Sequence, residues 1–357
     1  MDILFSHERL SDFLLVEEFL INNRLLIDAA DVDATYPCHL VNYSLYSEEE
    51  FFCLLDRNIV SYLIEMVKGR ELHEDFDKSK CFRLAAGLQA FLNAADITSE
   101  PGLSYNEYME HAGAEVADKE LAVFRSADNL DANIYLDIAL SKRNSIPADT
   151  VKHFHAGEIV SLDMPERIKH FEFNIVVVKK ALTLKAEGIS DYQVMHKLLD
   201  WLFEEYVFTS PAYHFLSIYF SSKRVSGMIK SDSYASVRNA SWDLCLLQQW
   251  TSLASKEDGR RWLLATMDDA IKKTASLMLM KQDESQADYF QRIEGEYAKM
   301  WGRKDGNGKS LLKKYIWFIE NVTSSTRHAN RKENQTESYM LDLRKRIDDE
   351  FREKVLA

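Results

Sequence analysis

The chain is poor in the residues that break helices and turn strands. Its 357 residues include 12 glycines and five prolines, where average usage would supply about 25 and 18. That scarcity argues against a turn-dense all-β fold and for long helices. Cysteine is scarce as well. Cys38, Cys53, Cys81 and Cys245 are scattered, with no C-x-x-C pair, so neither a disulfide framework nor a thiolate zinc site is indicated. Positive charge is in deficit, with 44 Lys+Arg against 57 Asp+Glu and a net charge of −13. This excludes a general polyanion-binding surface, though not a local basic groove. No long apolar run exists: the longest, around FNIVVVKKALTL, is broken by two lysines and falls short of the roughly 20 residues a membrane span needs. The opening MDILFSHERL carries an acid where a secretory signal carries cations. A soluble, cytoplasmic, helix-rich protein with no membrane partner is expected.

What is present is ample material for a core, 46% apolar residues in 41.4 kDa, enough for two or three domains or one enlarged by insertions. Residues 1–50 mix apolar runs with the turn-like DAADVDATYP and read as an N-terminal extension. FFCLL (51–55) is an uninterrupted apolar run ending at Asp56, which fits a strand buried on both faces of a parallel sheet with helices either side. NIVSYLIEMVKGR then reads as a helix ending near Gly69. ELHEDFDKSK follows as a polar loop, and CFRLAAGLQAFLNAA as a second helix. Met195, Leu198, Leu199, Leu202 and Tyr206 fall at helical spacing and predict one apolar stripe, within a helical insertion at about 165–235. A further helix is expected to begin near Trp242, and RWLLAT is a second strand ending beside Asp268 and Asp269. The core is expected to span 51–281, with 282–357 as a C-terminal helical extension. The fold class is thus α/β, a central parallel sheet flanked by helices.

The informative feature is where the carboxylates fall. In open α/β sheets, ligands bind in the crevice at the carboxyl ends of the strands. FFCLL and RWLLAT each deliver an Asp there, Asp56 and Asp268. Asp243, opening its helix just before the second strand, can reach the same edge, and Glu107 follows the turn signal Pro101-Gly102. Acids gathered at one edge repel each other unless a divalent cation holds them, and that is the arrangement metal-assisted phosphodiester hydrolysis uses.

In this ordered set the chain resembles the PIN-domain (PIN-like) metal-dependent nucleases. The matching islands are Asp56-Arg57-Asn58 after a strand, Pro101 to Glu107, Asp243 in NASWDLCLL, and Thr266-Met267-Asp268 after a strand. The resemblance covers roughly residues 51–280 in outline. The acids span more chain than a compact PIN domain, so the interval from Glu107 to Asp243 must hold an insertion. The resemblance implies that Asp56, Glu107, Asp243 and Asp268 bind Mg²⁺ or Mn²⁺ and act in catalysis. It also implies that the substrate is RNA, with single-stranded DNA as the other polymer the residues admit. A protein partner or homo-oligomer is not indicated either way. The competing function is a non-catalytic helical interaction or nucleic-acid-binding protein with a degenerate PIN-like core.

Each acid has a purely structural alternative. Asp56 can cap the helix that follows. Ser104-x-x-Glu107 matches a capping box, which would leave Glu100 as the fourth ligand. Asp243, in a first helical turn, can serve the helix dipole. Thr266-x-x-Asp269 fits a cap that releases Asp268 towards a metal. Two other motifs carry less. GNGKS (306–310) lacks the Gly spacing of a phosphate-binding loop, and His153 and His155 have no partner pair at a ligating spacing. The cations Lys223, Arg224, Lys230 and Arg238 before Asp243, and Arg260, Arg261, Lys272 and Lys273 around Asp268, are candidates for holding a phosphate backbone. The nuclease reading needs FFCLL and RWLLAT adjacent and parallel; the interaction-protein alternative needs no parallel sheet.

Overall fold

The computed structural model describes residues 8–28, 50–155 and 164–356, leaving out 208, 226–227, 257, 279, 281–283, 303–305, 323, 326 and 328–334. In chain order the elements are α1 (Leu10–Asn23), β1 (Leu26–Asp28), β2 (Glu50–Leu55), α2 (Arg57–Val67), α3 (Phe76–Ala94) and β3 (Thr98–Glu100). They continue with α4 (Gly102–Ala112), α5 (Ala114–Asp128), α6 (Ala132–Ala139), α7 (Met164–Ala186), α8 (Asp191–Glu204), α9 (Ser210–Phe220) and α10 (Tyr234–Ala254). The last are β4 (Arg260–Ala265), α11 (Asp269–Met278), α12 (Gln286–Trp301), α13 (Asn307–Val322) and α14 (Glu337–Val355). The chain is α/β, mostly helical around one four-stranded mixed sheet.

Two compact units share the chain: residues 1–167 with 249–272, and 168–248 with 273–357. The first contains the sheet, in the order β1-β4-β2-β3. β2 runs parallel to both neighbours, with Leu54 opposite Glu100 on β3 and Leu55 opposite Ala265 on β4. The two expected strands are therefore adjacent and parallel. Their apolar runs are explained by burial: Phe51, Cys53, Leu54 and Leu55 on β2 and Trp262 to Ala265 on β4 are all buried, as strands covered on both faces require. β1 joins β4 antiparallel and makes the sheet mixed.

The N-terminal stretch does not stand outside this unit. β1 completes the sheet, and α1 packs on α3, where Gly87 lets the helices approach so closely that a Cβ there would lie 3.2 Å from the Val16 side chain. Within the same unit, Trp250 donates its indole N–H to the carbonyl of Trp262 on β4 at 3.0 Å.

The second unit is helical throughout its described residues, and it gathers the inserted stretch and the C-terminal stretch into one body. Met195, Leu198, Leu199, Leu202 and Tyr206 form a fully buried stripe along α8 and just past it. Gly308, in the GNGKS segment, serves packing: a Cβ there would sit 2.4 Å from the carbonyl oxygen of Tyr297. His153 and His155 are exposed. Among the described residues, no helix is long and apolar enough to cross a membrane.

Candidate functional site

The strand order reverses at β2. The chain goes from β2 to β3 on one side, and β4 lies on the other. The carboxyl ends of β2 and β4 therefore form a switch point, the crevice where open α/β sheets place their ligands. Asp56 follows β2 directly, and Asp268 follows β4 by three residues.

One side chain couples the two acids. Thr266, fully buried, donates its hydroxyl to Asp56 Oδ2 at 2.8 Å and accepts the backbone N–H of Asp268 at 3.0 Å. Asp56 stands at the N-cap position of α2, yet its side chain makes no cap hydrogen bond. Burial pushes its carboxyl up to about 6; the Asp268 charge adds to the rise, and the Thr266 hydroxyl works against it. Of the four acids that the sequence pattern gathers at this edge, these contacts link two, Asp56 and Asp268.

The caps are distributed differently from the sequence expectation, and the reason lies in each case in a tertiary partner. Asp268, not Thr266, caps α11: its Oδ1 accepts the N–H groups of Ala270 at 2.6 Å and Ile271 at 3.3 Å. Thr266 is occupied by Asp56, so the Thr266-x-x-Asp269 cap does not form, and Asp269 is exposed. The Ser104–Glu107 capping box is also absent, because α4 starts at Gly102 and Ser104 lies inside it. Ser104 instead donates to the carbonyl of Leu55 at 2.7 Å, pinning α4 to the end of β2. Glu100 takes the capping role, accepting the N–H of Gly102 at 2.7 Å. Glu107, three residues beyond Ser104, shares its helix face and is half-buried.

Asp243 departs furthest from expectation. α10 begins at Tyr234, so Asp243 lies in mid-helix, half-buried in the second unit, and not in a first turn. The helix starts earlier because the polar Ser-rich segment supplies its start, with Ser233 Oγ accepting the N–H of Ser236.

The expected cations also redistribute. Arg260 and Arg261 open β4 and pair with Asp258 and Asp28. Five and four residue steps along the strand put them roughly 17 and 13 Å from its acid-bearing end. Lys272 is spent on the carbonyl of Asn23 and on Asp269. Lys223, Arg224, Lys230 and Arg238 belong to the second unit. Sequence reasoning missed Arg57, whose guanidinium forms a two-pronged pair with Glu120 and lies 4.4 Å above the ring of Tyr108. Its place directly after Asp56 was a usable signal.

The donor set suits a hard cation of limited demand. Asp268 commits Oδ1 to its cap, leaving Oδ2 outside the cap, and Asp56 commits Oδ2 to Thr266 while the Arg57 backbone and Asn58 side chain also support its carboxylate. Two carboxylates match Mg²⁺, which usually keeps several waters and takes one or two carboxylates. Among the described residues, no three His, Cys, Asp or Glu side chains stand close enough to enclose a metal ion by themselves. No protein-family model, curated protein or solved structure matches the chain.

Proposed function

We propose that the first unit is a metal-dependent phosphodiester hydrolase, acting on RNA in keeping with the PIN-like resemblance. The observation that supports this reading most is the parallel pairing of β2 with β4 at a strand-order reversal, with Asp56 and Asp268 joined through Thr266. In this reading Asp56 and Asp268 are the ligands of Mg²⁺ or Mn²⁺, with waters completing the shell; neither Glu107 nor Asp243 carries weight in it. The cation, when bound, lowers the pKa of a coordinated water and offsets charge on the phosphate. The protein's own part is positional. Thr266 holds the Asp56 carboxylate in one orientation, the α11 N-terminus holds that of Asp268, and Ser104 holds α4 against the end of β2.

The test is cleavage of a labelled single-stranded RNA with Mg²⁺ or Mn²⁺, with EDTA, and with Asp56→Asn and Asp268→Asn. Metal-dependent cleavage lost in both variants supports the reading. No cleavage by the wild-type protein under any metal refutes it. A second reading, nucleic-acid binding without cleavage, is favoured by the cap that Asp268 provides to α11 and predicts RNA retention with no product.

A further inference from the structure

The acid pair has no means of its own to attract a phosphodiester, and within the first unit the expected cations are engaged: Arg260 and Arg261 pair with Asp258 and Asp28, and Lys272 is held by the Asn23 carbonyl and Asp269. Arg57 is the guanidinium whose backbone adjoins Asp56. It is the first residue of α2, at the carboxyl edge of β2. Its side chain draws on two further helices: Nη1 and Nη2 donate to the two oxygens of Glu120 on α5, the second at 3.0 Å, and its guanidinium carbon lies over the ring of Tyr108 on α4. The forked geometry that clasps a carboxylate is the one that clasps a phosphate. Arg57 and Glu120 keep side-chain exposures of 20% and 14%, so the pair remains reachable from solvent. Glu120 thus occupies the fork with the shape and charge of a phosphodiester.

We propose that Arg57 grips a phosphodiester of the nucleic-acid substrate, and that Glu120 is the internal carboxylate this phosphodiester displaces. The proposal rests on the nuclease reading for the identity of the substrate. Tyr108 keeps the guanidinium plane oriented through the exchange, because stacking is indifferent to which anion the fork holds. Glu120 also lowers the affinity of the resting site for stray anions, so a polymer that supplies further contacts is favoured over a free phosphate.

The experiment measures fluorescence anisotropy of a short labelled single-stranded RNA in the Asp56→Asn background with Mg²⁺, where cleavage is suppressed. Arg57→Ala should weaken binding about tenfold and reduce the slope of log affinity against log salt by about one. Arg57→Lys, which keeps the charge without the fork, should fall between. Glu120→Gln should tighten binding several-fold and, with Asp56 restored, lower KM at unchanged kcat. Binding by Arg57→Ala equal to the parent with the same salt slope overturns the proposal, as does weaker binding by Glu120→Gln. If Arg57→Ala loses its circular-dichroism signature, the Lys and Gln variants decide. Arg57-dependent binding without wild-type cleavage leaves this inference standing while the nuclease reading fails. Cleavage whose KM ignores Arg57 does the reverse, and absence of both binding and cleavage ends both.

Discussion

Two buried polar networks, one in each unit, are built in opposite ways. In the helical unit, His214 is completely enclosed, with Nδ1 2.9 Å from the Tyr297 hydroxyl and Nε2 3.0 Å from that of Tyr315. Tyr315 reaches on to Ser210 at 2.9 Å, and Tyr213 stacks on Tyr315. Burial holds the imidazole down to about 3, so it is neutral throughout the physiological range. That network carries no charge and both ring nitrogens are satisfied, which is what a purely structural cluster should look like. In the sheet unit, Asp56 is buried beside a like charge and its carboxyl is raised, although the Thr266 hydroxyl, the Arg57 backbone and the Asn58 side chain all work against the rise. One network is closed and neutral; the other retains a repulsion that a cation would relieve. Unrelieved strain of that kind is concentrated at functional sites.

The comparison can be broken by experiment. The largest expected effect is on cleavage. Asp56→Asn and Asp268→Asn should each lower the rate more than about 100-fold, and Thr266→Val, which removes only the support, about 10- to 100-fold. Asn caps a helix as well as Asp, so Asp268→Asn should keep its melting temperature, and a loss of rate with unchanged Tm separates ligand from cap.

Next in size is His214→Ala. It leaves a cavity and strips a buried partner from two tyrosine hydroxyls, and should destabilise the helical unit by about 3 kcal/mol or more in urea titration. A loss under about 1 kcal/mol would show that the network does not support the fold.

Asp56 sets a pH dependence of the opposite origin. Its folded pKa of about 6 lies above its ordinary 3.8, so the folded state binds the extra proton. Its stabilising contribution is full below about pH 3.8 and is lost as pH rises through about 6. Asp56→Asn should therefore stabilise the metal-free protein by about 2–3 kcal/mol at pH 8 and flatten its stability across this window, as thermal melts over pH would show. Mg²⁺ or Mn²⁺ should raise the wild-type Tm at pH 8 and leave that of Asp56→Asn nearly unmoved. The smallest effect belongs to the cap. Asp268→Ala should cost about 1 kcal/mol, through the lost bonds to Ala270 and Ile271.

Particular residues show how far the sequence could be read. The β2 and β4 runs were legible because a strand covered on both faces must be apolar throughout and must turn polar where it emerges, which locates Asp56 and Asp268. The α8 stripe was legible through its helical period. The partners of Ser104 and Thr266 were not. Local spacing offers each of them a cap, but Leu55 and Asp56, 49 and 210 positions away in the chain, offer better-buried hydrogen bonds. The start of α10 was misplaced because its first turns are polar and lack the apolar period that marks a helix. Arg260 and Arg261 looked close to Asp268 by number, but a strand converts a few residues into the full height of a sheet.

By itself, the sequence determined the composition of a helix-rich α/β chain, the two buried strands and the acids at their tips, because burial and period act over a handful of neighbouring residues. The tertiary structure alone decided that β2 and β4 lie side by side, that Thr266 joins their acids, that Glu100 and Asp268 cap helices, and that Arg57 meets Glu120. Those outcomes depend on competition between partners far apart in the chain, and the winner is the donor or acceptor that folding leaves buried at hydrogen-bond distance.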